Sequence, residues 1–270
     1  MPRPTSHLTE DTPIYVAGHR GLVGSALWRA LEARGCRALI GADSGELDLR
    51  DRDATMAFVG TQRPDVVIVA AARVGGIAAN DAHPADFLGD NLRIQLNLLD
   101  AARVFDVRRL LFLGSSCIYP RAAEQPIVES SLLTGPLEPT NEGYAVAKIA
   151  GLTQVRSIRR QDGRPWISAM PTNLYGPGDN FDPTSSHVLP ALMRRVHEAK
   201  LSGAREVTVW GTGAPRREFL HVDDLASALI FLLENYDGDA PVNIGTGSDV
   251  TIRTLAETVA DVVGWRGRTI

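Results

Sequence analysis

An apolar run of four, Ile14-Tyr-Val-Ala17, breaks into Gly18-His-Arg-Gly21-Leu-Val-Gly24 and then into Ser25-Ala-Leu-Trp-Arg-Ala-Leu-Glu, and no other stretch limits the fold so tightly. Strand, glycine turn and amphipathic helix in that order begin a βαβ unit. Glycines at such a turn let the backbone approach a pyrophosphate, while the helix N-terminus offers unpaired amides and a partial positive charge. Gly18, Arg20, Gly21, Leu22, Val23 and Gly24 are therefore candidate dinucleotide-binding residues. A glycine triplet alone can be a structural turn; its flanking strand and helix favour the nucleotide.

The pattern repeats downstream. Asp65-Val-Val-Ile-Val-Ala-Ala-Ala72 and Leu110-Leu-Phe-Leu113 read as strands buried on both faces, with a helix predicted between them from Asp90 to about Ala101. Strands alternating with helices require a parallel sheet with right-handed crossovers. The expected fold is α/β: a Rossmann-like doubly wound parallel sheet over 13–170, after a disordered tail at 1–12. Residues 171–270 are expected to form mainly a smaller C-terminal substrate-binding lobe, part of it returning to the core. With 270 residues, 44% of them hydrophobic, the chain can fill such a core.

A second strand, expected over Arg37–Ile40, runs into Gly41-Ala-Asp43-Ser44, the place where a dinucleotide's ribose is read. Asp43 would accept a hydrogen bond from a free 2′-hydroxyl and repel a 2′-phosphate; Arg20 would pair with that phosphate. The two point to opposite cofactors. Ala70 and Ala71, small residues at a strand exit, leave room for the cofactor to lie across. Asp51 reads as a helix cap, as do Asp223 and Asp224 before Leu225.

Strand ends of this sheet type carry the chemistry, and Leu113 gives way to Gly-Ser115-Ser-Cys117-Ile-Tyr119. Tyr144 and Lys148 follow, four residues apart and so on one helix face. A phenol near its ordinary pKa of about 10 is a weak acid–base group, and a neighbouring ammonium would stabilise its phenolate. Ser115 would then position a carbonyl oxygen beside the phenol. By itself the Tyr–Lys spacing is more often that of a surface pair. Cys117, two residues from Ser115, is either a buried small hydrophobe or a catalytic group. His187 precedes a helix expected from about Val188 and is a candidate partner acid for Cys117; His19, His83, His197 and His221 have no such partner and are read as structural. Trp210 and Tyr175 are packing or loop-fixing residues rather than reactive groups, and Trp210 falls on the substrate side.

Against 28 Lys and Arg stand 32 Asp and Glu, a net charge of −4, so there is no general basic field for nucleic acid. The longest apolar run, Val66–Ala72, is too short to span a bilayer, and the N-terminus lacks the apolar core of a signal peptide. No membrane partner and a cytoplasmic location are expected. Cys36 and Cys117 have no metal-ligand spacing, and no metal is expected.

Taken together, GHRGLVGSAL, LLFLGSSCIYP, LEPTNEGYAVAKIAG, MPTNLYGPGDNF, SHVLPALMRR and REFLHVDDLA resemble the extended short-chain dehydrogenase/reductases, and among them the GDP-L-fucose synthase family, in order from about residue 14 to 268. The resemblance implies an epimerase-reductase acting on GDP-4-keto-6-deoxymannose with NADPH, and a homodimer. It implies Ser115, Tyr144 and Lys148 as the reductase triad, the last two also contacting the cofactor, and Cys117 with His187 as the epimerisation pair, the cysteine taking the proton as a thiolate. Asn173, His187, Arg195, Trp210 and Arg217 would hold the nucleotide sugar, the arginines on its diphosphate. The chain departs from the family where Ala42-Asp43-Ser44-Gly45 replaces a basic residue, which keeps NAD open as cofactor. The alternatives are a nucleotide-sugar 4-epimerase or 4-reductase, which needs no second acid–base pair, and a non-catalytic dinucleotide-binding regulator.

Overall fold

The computed structural model describes residues 8–270. Residues 1–7 of the expected tail lie outside the described residues. Residues 8–12 correct the expectation of disorder: Thr12 is buried, its hydroxyl accepts the Thr9 amide at 2.9 Å, and the Glu10 carbonyl accepts the Arg37 amide at 2.7 Å.

The first half alternates as expected: β1 (Ile14–Ala17), α1 (Leu22–Ala33), β2 (Leu39–Ile40), α2 (Arg52–Gln62), β3 (Val66–Val69), α3 (Ile77–Ala82), α4 (Pro84–Val104), β4 (Arg109–Leu113), α5 (Glu142–Asp162) and β5 (Ile167–Pro171). The second strand is half its expected length, and the helix expected from Asp90 starts a turn and a half earlier, at Pro84, a residue suited to a first helical turn. The Asp51 side chain caps α2, accepting the Ala54 amide at 3.0 Å. The remaining chain supplies β6 (Asn173–Tyr175), α6 (Val188–Ser202), β7 (Glu206–Val207), β8 (Arg216–His221), α7 (Val222–Asn235), β9 (Val242–Ile244), β10 (Asp249–Thr251), α8 (Ile252–Val263) and β11 (Arg268–Thr269). His221, not Asp223 or Asp224, caps α7: its Nδ1 accepts the Asp223 amide, and Asp223 lies in the first turn, where its carboxylate pairs with Arg29.

The main sheet is six-stranded and wholly parallel, in the order β2-β1-β3-β4-β5-β9. Period-two alternation sorts its side chains. Ile14, Val16, Val66, Ile68, Leu111 and Leu113 pack with α1 and α7 on one face. Tyr15, Ala17, Val67, Val69, Leu110 and Phe112 pack with α4 and α5 on the other. That double burial is why the strands read as unbroken apolar runs. Arg109 is wholly buried at the foot of β4, where its guanidinium donates to the carbonyls of Pro165, Leu232, Leu233 and Tyr236; burial lowers its pKa to about 10. It thereby serves the carbonyls that end α7.

The chain returns to this sheet only with α7 and β9. Around the edge of the main sheet, β10-β8-β6 form a second sheet and β7 pairs with β11. Leu189, Leu192 and Val196 of α6 bury against Leu255, Ala256 and Val259 of α8, a separate small core. Among the described residues no helix is long and apolar enough to cross a membrane.

Candidate active site

The glycine loop is built to receive something. Gly18 has φ +83°, a left-handed conformation that side chains resist, and a Cβ there would lie 2.8 Å from the Ala71 backbone. A Cβ on Gly24 would lie 2.0 Å from the Gly18 carbonyl oxygen, so the helix can enter this closely only with glycine there. Gly21 differs: its amide donates to the Gly18 carbonyl at 2.9 Å, but a Cβ would meet nothing nearer than 3.4 Å. The fold does not itself require Gly21 to be bare. No side chain caps α1, so the amides of its first turn, among them Leu22 and Val23, are open to an anion. Ala70, whose amide donates to the Ala17 carbonyl at 3.0 Å, and Ala71 follow β3 alongside this loop. Arg20 and Asp43, which pointed to opposite cofactors, form an ion pair with each other.

At the carboxyl end of β4 the amide of Gly114 donates to the Ala169 carbonyl at 2.8 Å, keeping the chain in the sheet for one more residue. Ser115 then opens a short 3-10 turn over Ser116–Ile118, its hydroxyl accepting the Cys117 amide at 3.4 Å. The turn folds Ser115 and Cys117 onto one sheet edge. α5 starts at Glu142, so Tyr144 lies in its first turn and Lys148 one turn on. Gln95 of α4 donates to the Ala147 carbonyl at 2.7 Å and fixes α5 beside it. Buried Lys148 donates to the Leu113 carbonyl at 2.8 Å, with its ammonium 5.0 Å from the Phe112 ring centre and 5.8 Å from that of Tyr144.

Burial governs the protonation of this cluster, and it corrects one sequence expectation. Tyr144 keeps an open edge but is enveloped by protein, and desolvation pushes its phenol up, with the neighbouring Cys117 adding to the rise. Lys148 turns its ammonium to the Leu113 carbonyl and is itself lowered to about 8 by burial. Cys117, expected as a thiolate, is held as a thiol: desolvation raises it further than the Ser115 hydrogen bond and the Lys148 charge bring it down.

His187 arrives from elsewhere. It precedes α6, which starts at Val188 as expected, and its side chain caps nothing. Asp182 holds the chain just before that start, its Oδ1 accepting the amides of Thr184 and Ser185 at 2.9 and 3.0 Å in a turn. The Ser185 carbonyl accepts the Gly76 amide at 2.9 Å, which moors this segment over the exit of β3. Burial pushes the His187 imidazole down while Asp179 pulls it back up, and Asp179 is itself raised by burial, with its Oδ2 buried and unpartnered. Among the described residues no hydrogen bond or ion pair joins His187 to Cys117. Sequence inspection passed over Asp179; its place in Gly176-Pro-Gly-Asp179, between two glycines of positive φ and a helix start, was the available signal.

The remaining candidates fall into two groups on the lobe. The Arg195 guanidinium donates to the Thr208 carbonyl at 2.8 Å and lies 5.6 Å over the ring of Trp210, which is 76% exposed. Asn173 on β6 donates to the Glu218 carbonyl at 2.9 Å, and Arg217 is one residue back on that paired strand, exposed, donating to the Arg216 carbonyl at 2.7 Å. The structure thus brings together Ser115, Cys117, Tyr144 and Lys148, and separately Arg195 with Trp210 and Asn173 with β8.

The chain is similar to known proteins over most of its length. The model of the NAD dependent epimerase/dehydratase family matches residues 14–245. "GDP-L-fucose synthase 1" of Arabidopsis thaliana is 60% identical over 259 residues, 96% of this chain and 80% of the relative. "GDP-L-fucose synthase" of Escherichia coli is 53% identical over 95% of this chain and 83% of its own. A GDP-L-fucose synthetase from Naegleria fowleri solved with NADP superimposes with a TM-score of 0.91 at 32% identity, covering 99% of this chain and 82% of that one.

Proposed function

The chain belongs to the NAD dependent epimerase/dehydratase family, and we propose that it acts as a GDP-L-fucose synthase, inverting C3 and C5 of GDP-4-keto-6-deoxymannose and then reducing C4. The observation that carries this is the place of Cys117: its amide is tied to the Ser115 hydroxyl in the turn that ends β4, at the sheet edge where Tyr144 and Lys148 lie together. A 4-epimerase or 4-reductase has work for the tyrosine and lysine but none for the thiol.

A nicotinamide dinucleotide fits the cradle, because the close approaches at Gly18 and Gly24 and the uncapped start of α1 are what a pyrophosphate needs. Gly18, Gly21, Leu22, Val23 and Gly24 would hold that pyrophosphate, Ala70 and Ala71 would flank it, Arg20 and Asp43 would meet the ribose, and Tyr144 and Lys148 would face the reactive end. When bound, the cofactor, for which we assign NADPH, supplies the hydride that reaches C4.

The side chains do the rest. Removing the proton at C3 or C5 leaves an enolate with its charge on O4, where Ser115 and Tyr144 donate hydrogen bonds. The resting thiol of Cys117 and the neutral imidazole of His187 hold one transferable proton between them. Once that proton is on His187, Cys117 takes the sugar's proton from one face and His187 returns one to the other, which inverts the centre. Tyr144, kept protonated by burial, then gives its proton to O4 during reduction. Lys148 holds a positive charge beside the phenolate that remains. Arg195 and Arg217 would grip the diphosphate, with Trp210 and Asn173 beside them.

We also assign a cytoplasmic location and a homodimer in which α4 and α5 meet their symmetry mates, on the strength of the apolar Leu96, Val104 and Val146 they expose; sedimentation at micromolar concentration should give one species of twice the chain mass. The activity is tested by incubating the protein with GDP-4-keto-6-deoxymannose and reduced cofactor. Loss of nicotinamide absorbance with formation of GDP-L-fucose is expected; a product reduced at C4 but not inverted at C3 and C5 would replace the proposal by the 4-reductase.

A further inference from the structure

Arg20 and Asp43 face each other where β2 ends, beside the position of a dinucleotide's adenosine ribose. The two are not equally free. Asp43 is fixed from behind: its Oδ1 accepts the amides of Gly45 and Glu46 at 2.8 and 3.0 Å, and its own amide donates to the Glu46 carboxylate at 2.9 Å. Those two amide bonds, more than Arg20 or the nearby His19, hold its carboxyl below the usual range, so it is an anion at any working pH. The Arg20 side chain is 69% exposed, against 25% for Asp43, and Asp43 is its only ion-pair partner among the described residues. His19 completes the wall, its ring under Gly41 and tilted on Trp28 at 5.2 Å.

We infer that this pair reads the ribose in both directions, so that the chain binds NAD(H) and NADP(H) with affinities within about tenfold of one another. The inference rests on the assignment of the glycine loop as the dinucleotide cradle. With a free 2′-hydroxyl, Asp43 accepts its hydrogen bond and keeps Arg20. With a 2′-phosphate, Arg20 leaves for the new anion, and an immobile carboxylate stays beside two added negative charges. The gain and the repulsion arise from the same pair, and neither cofactor is strongly excluded.

Affinity is the readout, measured on the whole chain without sugar by calorimetric titration with NADP+ and with NAD+. Wild type should show dissociation constants within about tenfold of each other. Asp43→Asn, which keeps an Oδ1 for the Gly45 and Glu46 amides, should move the ratio about tenfold or more toward NADP+ by removing the repulsion; Arg20→Ala should move it as far toward NAD+. A wild-type preference of about a hundredfold either way, or an Asp43→Asn ratio equal to wild type, would overturn the inference while leaving the cradle assignment standing. Failure of both dinucleotides to bind wild type would remove the cradle assignment and the inference with it.

Discussion

The two halves of the site are built differently. Ser115, Cys117, Tyr144 and Lys148 belong to the parallel sheet and its helix: their backbones are tied by the Gly114–Ala169, Gln95–Ala147 and Lys148–Leu113 hydrogen bonds, and burial fixes their protonation. His187, Asn173, Arg195, Trp210 and Arg217 belong to the lobe, on short strands, on α6 and in loops, the His187 segment moored through Gly76 and Ser185, and Arg195, Asn173 and Arg217 spend their donors on nearby carbonyls. One half is assembled by folding alone, whereas the other has groups to release when a sugar nucleotide arrives. The carbonyl chemistry should therefore depend on the sheet half, and binding on the lobe half.

The largest effect that would sharpen this contrast is on hydride transfer. Tyr144→Phe should lower the rate of C4 reduction by about 10² to 10⁴, the scale for losing a general acid, while proton exchange at C3 and C5 continues. Equal loss of both would merge the two chemistries into one residue.

Next comes Lys148. Burial lowers it to about 8 in the folded chain, whereas an unfolded lysine keeps its proton to about 10.4. Between those values the unfolded chain binds one more proton, so stability rises with pH, by at most about 2 kcal/mol between about pH 7.5 and about pH 9.5. Lys148→Met should lack that increment in urea unfolding, and an identical pH trend in the two proteins would contradict the burial account. The smallest effect belongs to the lobe: Arg195→Ala should raise KM for the nucleotide sugar about tenfold with kcat nearly unchanged, as for a residue that binds ground and transition states alike. A fall in kcat without a change in KM would place Arg195 with the catalytic half instead.

The sheet half was legible because its signals are local. Apolar runs ending in glycine or serine mark strand exits, and four-residue spacing sets Tyr144 over Lys148 whatever the tertiary packing. What stayed hidden depends on surroundings that spacing does not carry. Cys117 was expected as a thiolate, because the sequence does not state how much protein closes over it. Arg20 and Asp43, 23 residues apart, read as rival cofactor signals until the structure paired them. On the lobe, Asp179 escaped notice, since its place beside His187 is set by tertiary packing that no periodicity records.

Separation of the two chemistries is tested most directly by solvent deuterium exchange into GDP-4-keto-6-deoxymannose by the Cys117→Ser variant, with dinucleotide bound but no hydride to transfer. Serine keeps the size of the side chain and removes a group acidic enough to serve as the base. Incorporation at C3 and C5 should fall to the level seen without protein, while Tyr144→Phe run alongside incorporates deuterium; exchange by Cys117→Ser at the wild-type rate would contradict the assignment and leave the simpler 4-reductase or 4-epimerase in its place.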